Sequence, residues 1–390
     1  MTTLTGLDLF EREWPSSFNA ARVGLLVHPS SVNKNLTYAV DLFLQSKKFK
    51  VTALFGPQHG IRGETQDNMI EWEGFQDQKT ALPVFSLYGK ARKPTPEMLK
   101  NVDVLVIDLQ DVGARYYTFI WTMALCMEAC AELNKSILIL DRPNPINGRD
   151  IEGQILDPHY SSFVGLRPLP IRHGMTVGEI ASYLKETFYP KLDLKVIPMQ
   201  GWKRDMAFDE TKLPWVMPSP NMPTLDTAFV YPGMCLFEGT QLSEARGTTR
   251  PFEIFGAPFI DPDKLVKQLD AFKLPGVKFR PSYFLPTFQK HANTVCAGAQ
   301  IYVTDRAQYK SVQTAIVILK VIHDLYPSQF AWKNPPYEYE EEKMPIDILA
   351  GNDELRTTIE QGKDISQLET SWQNECENFN NQVRKKFLIY

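Results

Sequence analysis

A short loop early in the chain combines several residue types that can do chemistry. It runs Phe-Gly-Pro-Gln-His-Gly-Ile-Arg-Gly-Glu and contains Gln58, His59, Arg62 and Glu64. Glycine permits backbone angles that other residues avoid, so such a loop can bring polar side chains and main-chain groups close to a ligand. The run before it, Lys50–Phe55, has the apolar character of a buried strand. Because ligands bind at the carboxyl ends of strands in open α/β sheets, this is a predicted active-site loop.

Further polar residues follow other strand-like or glycine-bounded segments. They are His28 after Arg22–Val27; Gln110, Asp111, Arg115 and Tyr117 after Val102–Leu109; Asp141 and Asn144 after Ser136–Leu140; Arg172 and His173 before a helix near Val177; and Glu244 and Arg246 in the loop 239–250. If the sheet is parallel, the loops after its strands emerge along one edge. These segments therefore predict a polar cleft at the carboxyl edge of the sheet.

Each of these residues also has a structural alternative. Asp111 and Asp141 could cap helices or stabilise turns. Arg115 could pair with a neighbouring aspartate, and His28 alone is typical of a hydrogen-bonded structural histidine. Glu244 and Arg246 could form an ion pair. The glycine-flanked setting of His59 offers little packing, and there we favour function.

Thr176 and Glu179 have a structural explanation of their own. Thr176 precedes the apolar run of a helix, and Glu179 stands at the position that completes a capping box. This spacing explains both residues without a ligand. It leaves Arg172 and His173 as candidates for substrate contact.

Strand-like and helix-like segments alternate through the first half of the chain. Predicted strands include Arg22–Val27, Lys50–Phe55, Val102–Leu109, Ser136–Leu140 and Leu192–Pro198; predicted helices include Leu36–Gln45, Thr118–Leu133 and Val177–Phe188. This alternation predicts an α/β fold, with a Rossmann-like, mostly parallel sheet and helices on both faces. We assign it to residues 1–240 and predict a smaller α+β C-terminal domain at residues 241–390. The proline-rich stretch 213–223 is expected to be an ordered link across the sheet.

Composition narrows the class of protein. The chain has 390 residues, of which 43% are hydrophobic and 23% charged, and a net charge of −4, so nothing favours a nucleic-acid partner. No apolar run approaches the roughly 20 residues that a membrane helix needs, so no membrane partner is expected. The N-terminus lacks a signal peptide, which predicts a cytoplasmic protein unless an export signal has been removed. The five scattered cysteines do not suggest a disulfide framework.

Several well-known motifs are missing. No G-x-G-x-x-G follows a strand, and neither a P-loop nor a G-x-S-x-G nucleophile elbow occurs. The remaining carboxylates, amides, histidines, arginines and aromatic residues suit a sugar, whose hydroxyl groups accept and donate hydrogen bonds. Glycosidic cleavage usually needs two carboxyl groups, one of them with a raised pKa. From the residues alone, the sequence predicts a carbohydrate-type polar site.

The same segments resemble a known family. The motifs are Phe-Gly-Pro-x-His-Gly-x-Arg-Gly, Asp-Leu-Gln-Asp-Val-Gly-x-Arg-x-Tyr-Thr, Asp-Arg-Pro-Asn-Pro, Arg-His-Gly-Met-Thr, Pro-Ser-Pro-Asn and Gly-Thr-x-x-Ser-Glu-x-Arg-Gly-Thr-Thr, with Ile-Asp-Ile-Leu-Ala-Gly near the C-terminus. In this order, over most of the chain, they resemble the exo-β-N-acetylmuramidase (NamZ-like) family. The resemblance implies a Rossmann-like domain with a smaller C-terminal domain. It also implies removal of N-acetylmuramic acid from the non-reducing end of peptidoglycan fragments, with no metal or organic cofactor.

The resemblance also implies roles for residues. Muramic acid carries a lactyl carboxylate, for which Arg62, Arg115 and Arg172 are sensible partners. The implied substrate contacts are His28, Arg62, Gln110, Arg115, Tyr117, Asp141, Asn144, Arg172, His173 and Arg246. The implied catalytic set is Gln58, His59, Glu64, Asp111 and Glu244.

One position departs from the family in a way that affects the chemistry. Family members commonly carry glutamate before the His-Gly pair, and that glutamate resembles a catalytic acid, but this chain has Gln58. An amide has no titratable proton and cannot act as a general acid. Gln241 and Ala245 also stand where the family usually has asparagine and glycine.

Three explanations for Gln58 remain open at this point. Another group, among Glu64, Asp111, Glu244 and His59, could supply the proton. The chain could instead be a non-catalytic muropeptide-binding protein, or Gln58 could be an engineered inactivating change. Of these explanations we favour an active glycosidase. A nucleotide-linked α/β enzyme is a weaker hypothesis, because the glycine motif of such enzymes is missing.

Overall fold

A computed structural model of the chain describes residues 2–67 and 69–390. The helices are α1 (Gly6–Glu13), α2 (Ala39–Gln45), α3 (Pro96–Leu99), α4 (Phe119–Glu132), α5 (Val177–Phe188), α6 (Leu225–Met234), α7 (Pro262–Ala271), α8 (Ser311–Leu325), α9 (Pro345–Ala350), α10 (Glu354–Glu360) and α11 (Ser366–Gln382). The strands are β1 (Arg22–Val27), β2 (Lys50–Gly56), β3 (Phe75–Gln76), β4 (Pro83–Ser86), β5 (Val104–Asp108), β6 (Ser136–Leu140), β7 (Glu152–Ile155), β8 (Pro170–Arg172), β9 (Leu194–Ile197), β10 (Ile254–Ala257), β11 (Val277–Phe284) and β12 (Cys296–Val303). None of the helices in this part of the chain is long and apolar enough to span a membrane.

The main sheet has the predicted parallel architecture. Within the described residues it contains seven strands in the order β3-β4-β2-β1-β5-β6-β9, and only the β3–β4 pair is antiparallel. Phe55 lies opposite Leu26, and Val27 lies opposite Asp108, so neighbouring strands end at similar heights. The loops after β1, β2, β5 and β6 therefore share one edge, which we call the carboxyl edge.

Helices cover both faces of this sheet, as predicted. Successive side chains of a strand point to opposite faces, so alternate apolar residues of one strand serve two layers. Val23 and Leu25 of β1 pack in one core with residues of α1 and α2, whereas Leu26 packs in the other with residues of α4 and α5. Strands that are apolar on both sides are typical of a sheet buried on both faces.

Local sequence explains where key helices begin. Thr176 accepts a hydrogen bond from the backbone of Glu179, whose side chain accepts one from the backbone of Thr176, which confirms the predicted capping box of α5. The same arrangement of Thr5 and Asp8 begins α1. These caps fix the helix starts beside the sheet edge.

The smaller C-terminal part is α+β, also as predicted. Its antiparallel sheet has the order β10-β12-β11 among the described residues, and α7 packs against β11 and β12. The proline-rich stretch crosses the carboxyl edge as an ordered segment, because Ser30 donates to the carbonyl of Val216 and the His28 ring bonds the carbonyl of Pro218. The two parts are thereby packed around the loops that carry the predicted site.

Candidate active site

Among the cavities of residues 2–67 and 69–390, two are candidates for a ligand site. The larger has about 1150 Å³ of empty space, open solvent included, and is a groove between β7, α8 and α11, where Asp150 and Glu152 pair with Arg172. The smaller has about 500 Å³ on the same measure and lies at the carboxyl edge of the sheet. We choose the smaller one because buried acids of shifted pKa meet there, which is a better sign of chemistry than volume. We call it the polar cavity.

The polar cavity combines hydrogen-bonding groups with aromatic rings. Its polar lining includes Gln58, His59, Ser219, Asn221, Glu238, Arg246 and Glu338. Its aromatic lining includes Tyr117, Tyr231, Phe252 and Tyr337. These residues come from the loops after β2 and β5, from the proline-rich stretch, from α6 and the segment after it, and from the segment before α9.

Gln58 is the centre of a buried hydrogen-bond chain. The Thr118 hydroxyl donates to Gln58 Oε1 at 2.7 Å, and Gln58 Nε2 donates to the Tyr88 hydroxyl oxygen at 3.2 Å. Tyr88 in turn donates to Glu338 Oε2 at 3.0 Å. The chain of bonds links the first turn of α4 to a carboxyl group of the C-terminal part, and Gln58 orients Tyr88 towards it.

Glu338 is held in a tight turn. The backbones of Tyr337 and Glu340 exchange two hydrogen bonds of 2.9 Å, while Glu338 and Tyr339 have φ of 45° and 68°. Positive φ at both central residues is the signature of a type I′ turn, which usually takes Gly, Asn or Asp. Bulky residues here are strained, and such strain is concentrated at functional sites.

The carboxyl group of Glu338 is protonated more readily than an ordinary glutamate. Glu338 is only 4% exposed. Burial, followed by the nearby negative charge of Glu238, raises the pKa of Glu338 to about 7, although the Tyr88 hydrogen bond opposes the shift. At neutral pH a large share of the molecules therefore carries a proton on this acid.

Glu238 has the opposite behaviour. Burial alone would raise its pKa, but the charge and hydrogen bond of Arg246, aided by Tyr337, lower the pKa of Glu238 below its ordinary value. Arg246 Nη2 lies 2.6 Å from Glu238 Oε1, and the Tyr337 hydroxyl donates to Oε2 at 2.6 Å. Glu238 is thus an ionised carboxylate in the same cavity as a carboxyl group that can hold a proton.

His59 contributes a neutral ring. Its Nδ1 lies 2.6 Å from the carbonyl oxygen of Thr65. A carbonyl can only accept, so Nδ1 carries the proton and Nε2 is left as an acceptor. Burial lowers the pKa of His59 to about 4, so the ring is uncharged at neutral pH. The residue has φ of 68°, and this strained geometry supports the functional interpretation of the loop.

Four of the residues proposed from sequence line the polar cavity: Gln58, His59, Tyr117 and Arg246. Glu244 lies behind them. Its carboxylate is 2.7 Å from Lys290 Nζ and 3.4 Å from Arg246 Nε. The anticipated Glu244–Arg246 ion pair is therefore present and supports the arginine that holds Glu238.

A second group of predicted residues forms a packed cluster outside the cavity lining. We call it the sheet-edge cluster: His28, Gln110, Asp111, Asp141, Asn144 and His173. His28 Nε2 accepts from the Gln110 backbone at 2.9 Å, and the Gln110 side chain donates to the carbonyls of Asp111 and Pro143. Burial lowers the pKa of His28 to about 3, which suits this neutral bridging role.

The remaining members of the cluster also bond to the chain itself, although the buried atoms Asp111 Oδ1 and His173 Nε2 have no hydrogen-bond partner within the described residues. Asp111 Oδ2 accepts from Gly113 at 2.6 Å and lies 3.2 Å from His173 Nε2. Asn144 Nδ2 donates to the Met175 carbonyl at 3.0 Å. Asp141 accepts from Thr176, Gly178 and Tyr390, and burial raises its pKa to about 6. In these positions the residues hold loops and the start of α5, and their predicted contact with a substrate stays a prediction.

The three arginines predicted to bind a lactyl carboxylate make their contacts with other groups of the chain. Arg115 is fully buried and donates to four backbone carbonyls, two of them at the end of α9. Arg172 pairs with Glu152 at 2.6 Å. Arg62 is exposed and lies 3.3 Å from Asp77, and Glu64 is exposed too. The structure does not bring these four residues into the cavity lining.

Sequence reasoning missed several residues that shape the cavity, among them Tyr88, Glu238, Tyr337 and Glu338. Glu238 directly precedes the Gly-Thr motif that drew attention to loop 239–250. Glu338 stands in Pro-Pro-Tyr-Glu-Tyr-Glu, where aromatic residues and acids alternate after two prolines. That mixture is a signal of a rigid polar turn, and it could have identified the segment.

Comparison with known proteins agrees with this architecture. The N-terminal model of the exo-β-N-acetylmuramidase NamZ family matches residues 23–226, and the C-terminal model matches residues 229–390. The chain is 48% identical to the peptidoglycan β-N-acetylmuramidase NamZ of Bacillus subtilis strain 168, covering 99% of this chain and 91% of that protein. Our division at residues 240 and 241 stays a prediction.

Solved structures show the same fold over the full length. Two crystal structures of DUF1343 family proteins from Bacteroides fragilis NCTC 9343 match with TM-scores of 0.89 and 0.77, at 34% and 29% identity. Each match covers 100% of this chain and 99% of the other. From both family models and the full-length relative, the chain belongs to the exo-β-N-acetylmuramidase NamZ family.

Proposed function

We propose that this protein is a glycoside hydrolase that removes N-acetylmuramic acid from the non-reducing end of peptidoglycan fragments. The observation that carries the proposal is the pair of buried carboxyl groups, Glu238 and Glu338, whose pKa values are shifted in opposite directions within one cavity. Two such groups are what most glycosidases use on an oxocarbenium-like transition state. Membership of the family supports the substrate class.

The rest of the lining suits an N-acetylated sugar. His59 Nε2 is an acceptor for a hydroxyl group, and Ser219 lies in the same wall. The Asn221 side chain bonds the backbone and side chain of Gln66, which fixes it in place. Tyr117 and Tyr231 stand edge to face with ring centroids 5.9 Å apart, and their apolar surfaces suit a sugar ring.

The lactyl carboxylate of muramic acid needs a cation, and we propose Arg92. Its guanidinium lies over the Tyr339 ring, 3.2 Å from the centroid. Arg92 lies just outside the cavity lining, with its Nη2 4.0 Å from Glu71 Oε1, and within residues 2–67 and 69–390 its buried Nε has no hydrogen-bond partner. Its charge opposes the upward shift of the Glu338 pKa, which places it within electrostatic range of that acid. A carboxylate would satisfy such a guanidinium.

Hydrolysis of two defined substrates tests the proposal. We expect the full chain to release 4-nitrophenol from 4-nitrophenyl β-N-acetylmuramide and free N-acetylmuramic acid from the disaccharide MurNAc-GlcNAc. The matched control is 4-nitrophenyl β-N-acetylglucosaminide, which lacks only the lactyl group and should be a poorer substrate. Calorimetric binding of the disaccharide without cleavage over hours would instead show a binding protein.

A further inference from the structure

We propose that Glu338, carried by the turn Tyr337–Glu340, is the proton donor of this enzyme and takes the role that Gln58 cannot perform. The inference rests on the hydrolase function proposed above and names the group that performs its first chemical step. It replaces the earlier candidates with a residue that is distant from them in sequence and joined to Gln58 through Tyr88.

The other candidates for the proton donor are poorly placed or wrongly charged. Glu64 is exposed and does not line the cavity. Asp111 accepts from Gly113 and faces His173, while Glu244 is paired with Lys290 behind Arg246. His59 lines the cavity, but burial lowers its pKa to about 4, so its ring has no acidic proton to give at neutral pH.

The hydrogen bonds around Glu338 leave one of its oxygens for the substrate. Tyr88 donates to Oε2, and the Tyr88 oxygen is itself the acceptor for the Gln58 amide, so the tyrosine proton is directed at Glu338. No hydrogen bond to Oε1 occurs among the residues that the structure describes. A proton on Glu338 is therefore best placed on Oε1, in the wall of the cavity.

Gln58 has a distinct function in this arrangement. As an amide it donates to Tyr88 and accepts from Thr118 at the same time. A carboxylate at the same position could accept from both but donate to neither. Gln58 therefore suits a site in which the acid is Glu338, which is linked to Gln58 through the hydroxyl group of Tyr88.

Glu238 supplies the negative charge that the step requires. Its carboxylate is fixed by Arg246 and Tyr337, and the low pKa of Glu238 makes it a poor base. It remains ionised next to Glu338, so it keeps the neighbouring proton on that acid. As positive charge develops at the anomeric carbon, the same carboxylate stabilises it.

The reaction then balances with these residues and water alone. Glu338 gives its proton to the glycosidic oxygen, and the bond from the anomeric carbon to that oxygen breaks with its electron pair going to the leaving sugar. The oxygen of a water molecule forms a bond to the anomeric carbon. The carboxylate of Glu338 accepts the proton that the water loses, which restores the acid for the next turnover.

The test compares Glu338→Gln with wild type on two substrates of different leaving group. The alcohol of GlcNAc needs a proton to leave, whereas 4-nitrophenolate leaves readily without one. For Glu338→Gln we expect kcat/KM on MurNAc-GlcNAc to fall by about 10²–10⁴-fold, and kcat/KM on the nitrophenyl substrate to fall far less. On MurNAc-GlcNAc, the kcat/KM of wild type should decline above about pH 7. On the nitrophenyl substrate this decline should be absent.

Two further variants keep the test independent of folding. Glu338→Asp keeps an acid and should recover part of the disaccharide activity. Glu341→Gln makes the same chemical change at an exposed glutamate just outside the turn, and should leave both activities unchanged. Equal losses of kcat/KM on the two substrates, or no loss on the disaccharide, would overturn the inference. Failure of wild type on both substrates would instead reject the proposed function.

Discussion

The polar cavity and the sheet-edge cluster are built from similar loop motifs, but their polar side chains are used differently. Both lie at the carboxyl edge of the parallel sheet, and both are made of buried polar side chains from glycine- and proline-containing loops. In the cluster, His28 and Asn144 are bonded to backbone groups of neighbouring loops. In the cavity, Glu238 and Glu338 share a space that no backbone fills.

The difference teaches how to read polar motifs. Most buried polar groups are hydrogen-bonded, and a motif whose bonds are mostly made within the chain builds a rigid frame. A motif that holds a shifted acid beside empty space is prepared for a ligand. Four predictions test this division between frame and site, in order of decreasing effect.

The largest effect is expected from Arg246→Met, which removes the partner of a buried carboxylate. Breaking a buried ion pair from one side costs about 3–5 kcal/mol of the free energy of unfolding. Glu238 should also take up a proton, which removes the charge that serves the reaction, so kcat should fall steeply. Thermal unfolding and steady-state kinetics measure both. Arg12→Met, which removes the partner of the exposed Glu13 at the surface, should cost less than about 1 kcal/mol.

Arg115→Lys tests the frame. An ammonium group cannot reach all four carbonyls that Arg115 bonds, so some would be left buried without a partner, at about 1–3 kcal/mol each. Chemical denaturation should show this loss, while the folded variant keeps the KM of wild type. A raised KM with unchanged stability would place Arg115 in the substrate site. Arg62→Lys, at an exposed arginine, is the control for stability.

The pH dependence of the free energy of unfolding tests the raised pKa of Glu338. The pKa of Glu338 is raised in the folded protein from 4.5 to about 7, so its contribution to stability is complete below pH 4.5 and is lost as pH rises through 7. Glu338→Gln should therefore be more stable than wild type at pH 8, by up to roughly 3 kcal/mol. Urea unfolding at pH 5 and pH 8 measures the difference. A variant that is less stable at both pH values would contradict the raised pKa.

The smallest effect is expected from Gln58→Ala. This variant removes two hydrogen bonds, each of about 1 kcal/mol, that orient Tyr88 and Thr118. We expect kcat/KM on MurNAc-GlcNAc to fall by roughly 10-fold, much less than for Glu338→Gln. Gln76→Ala, at an exposed glutamine whose side chain donates to the Ala81 carbonyl, is the control. A loss as large as that of Glu338→Gln would make Gln58 itself the critical group.

Much of the fold could be predicted from the sequence. The apolar runs of β1 and β6 and the capped helix α5 have the predicted boundaries, because hydrophobic pattern and capping are local properties. The edge strand β11 was not predicted, since its exposed positions carry Lys278 and Arg280. Helix α6 was missed because it contains Pro232, a residue that usually ends or kinks a helix.

The site was only partly predictable, for a physical reason. Gln58 and His59 lie in a loop whose composition is unusual, and this is visible in one segment of sequence. The role of Glu338 depends on Tyr88, which is 250 positions away, and on the charge of Glu238. A pKa shift arises from burial and neighbours, so it becomes visible only once the chain is folded.

A structure of the Glu338→Gln variant with bound MurNAc-GlcNAc tests the central claim most directly. We predict that the disaccharide occupies the polar cavity, with its glycosidic oxygen within hydrogen-bond distance of the side chain at position 338 and its lactyl carboxylate at Arg92. A disaccharide bound to the sheet-edge cluster, or in the groove beside α11, would contradict this account.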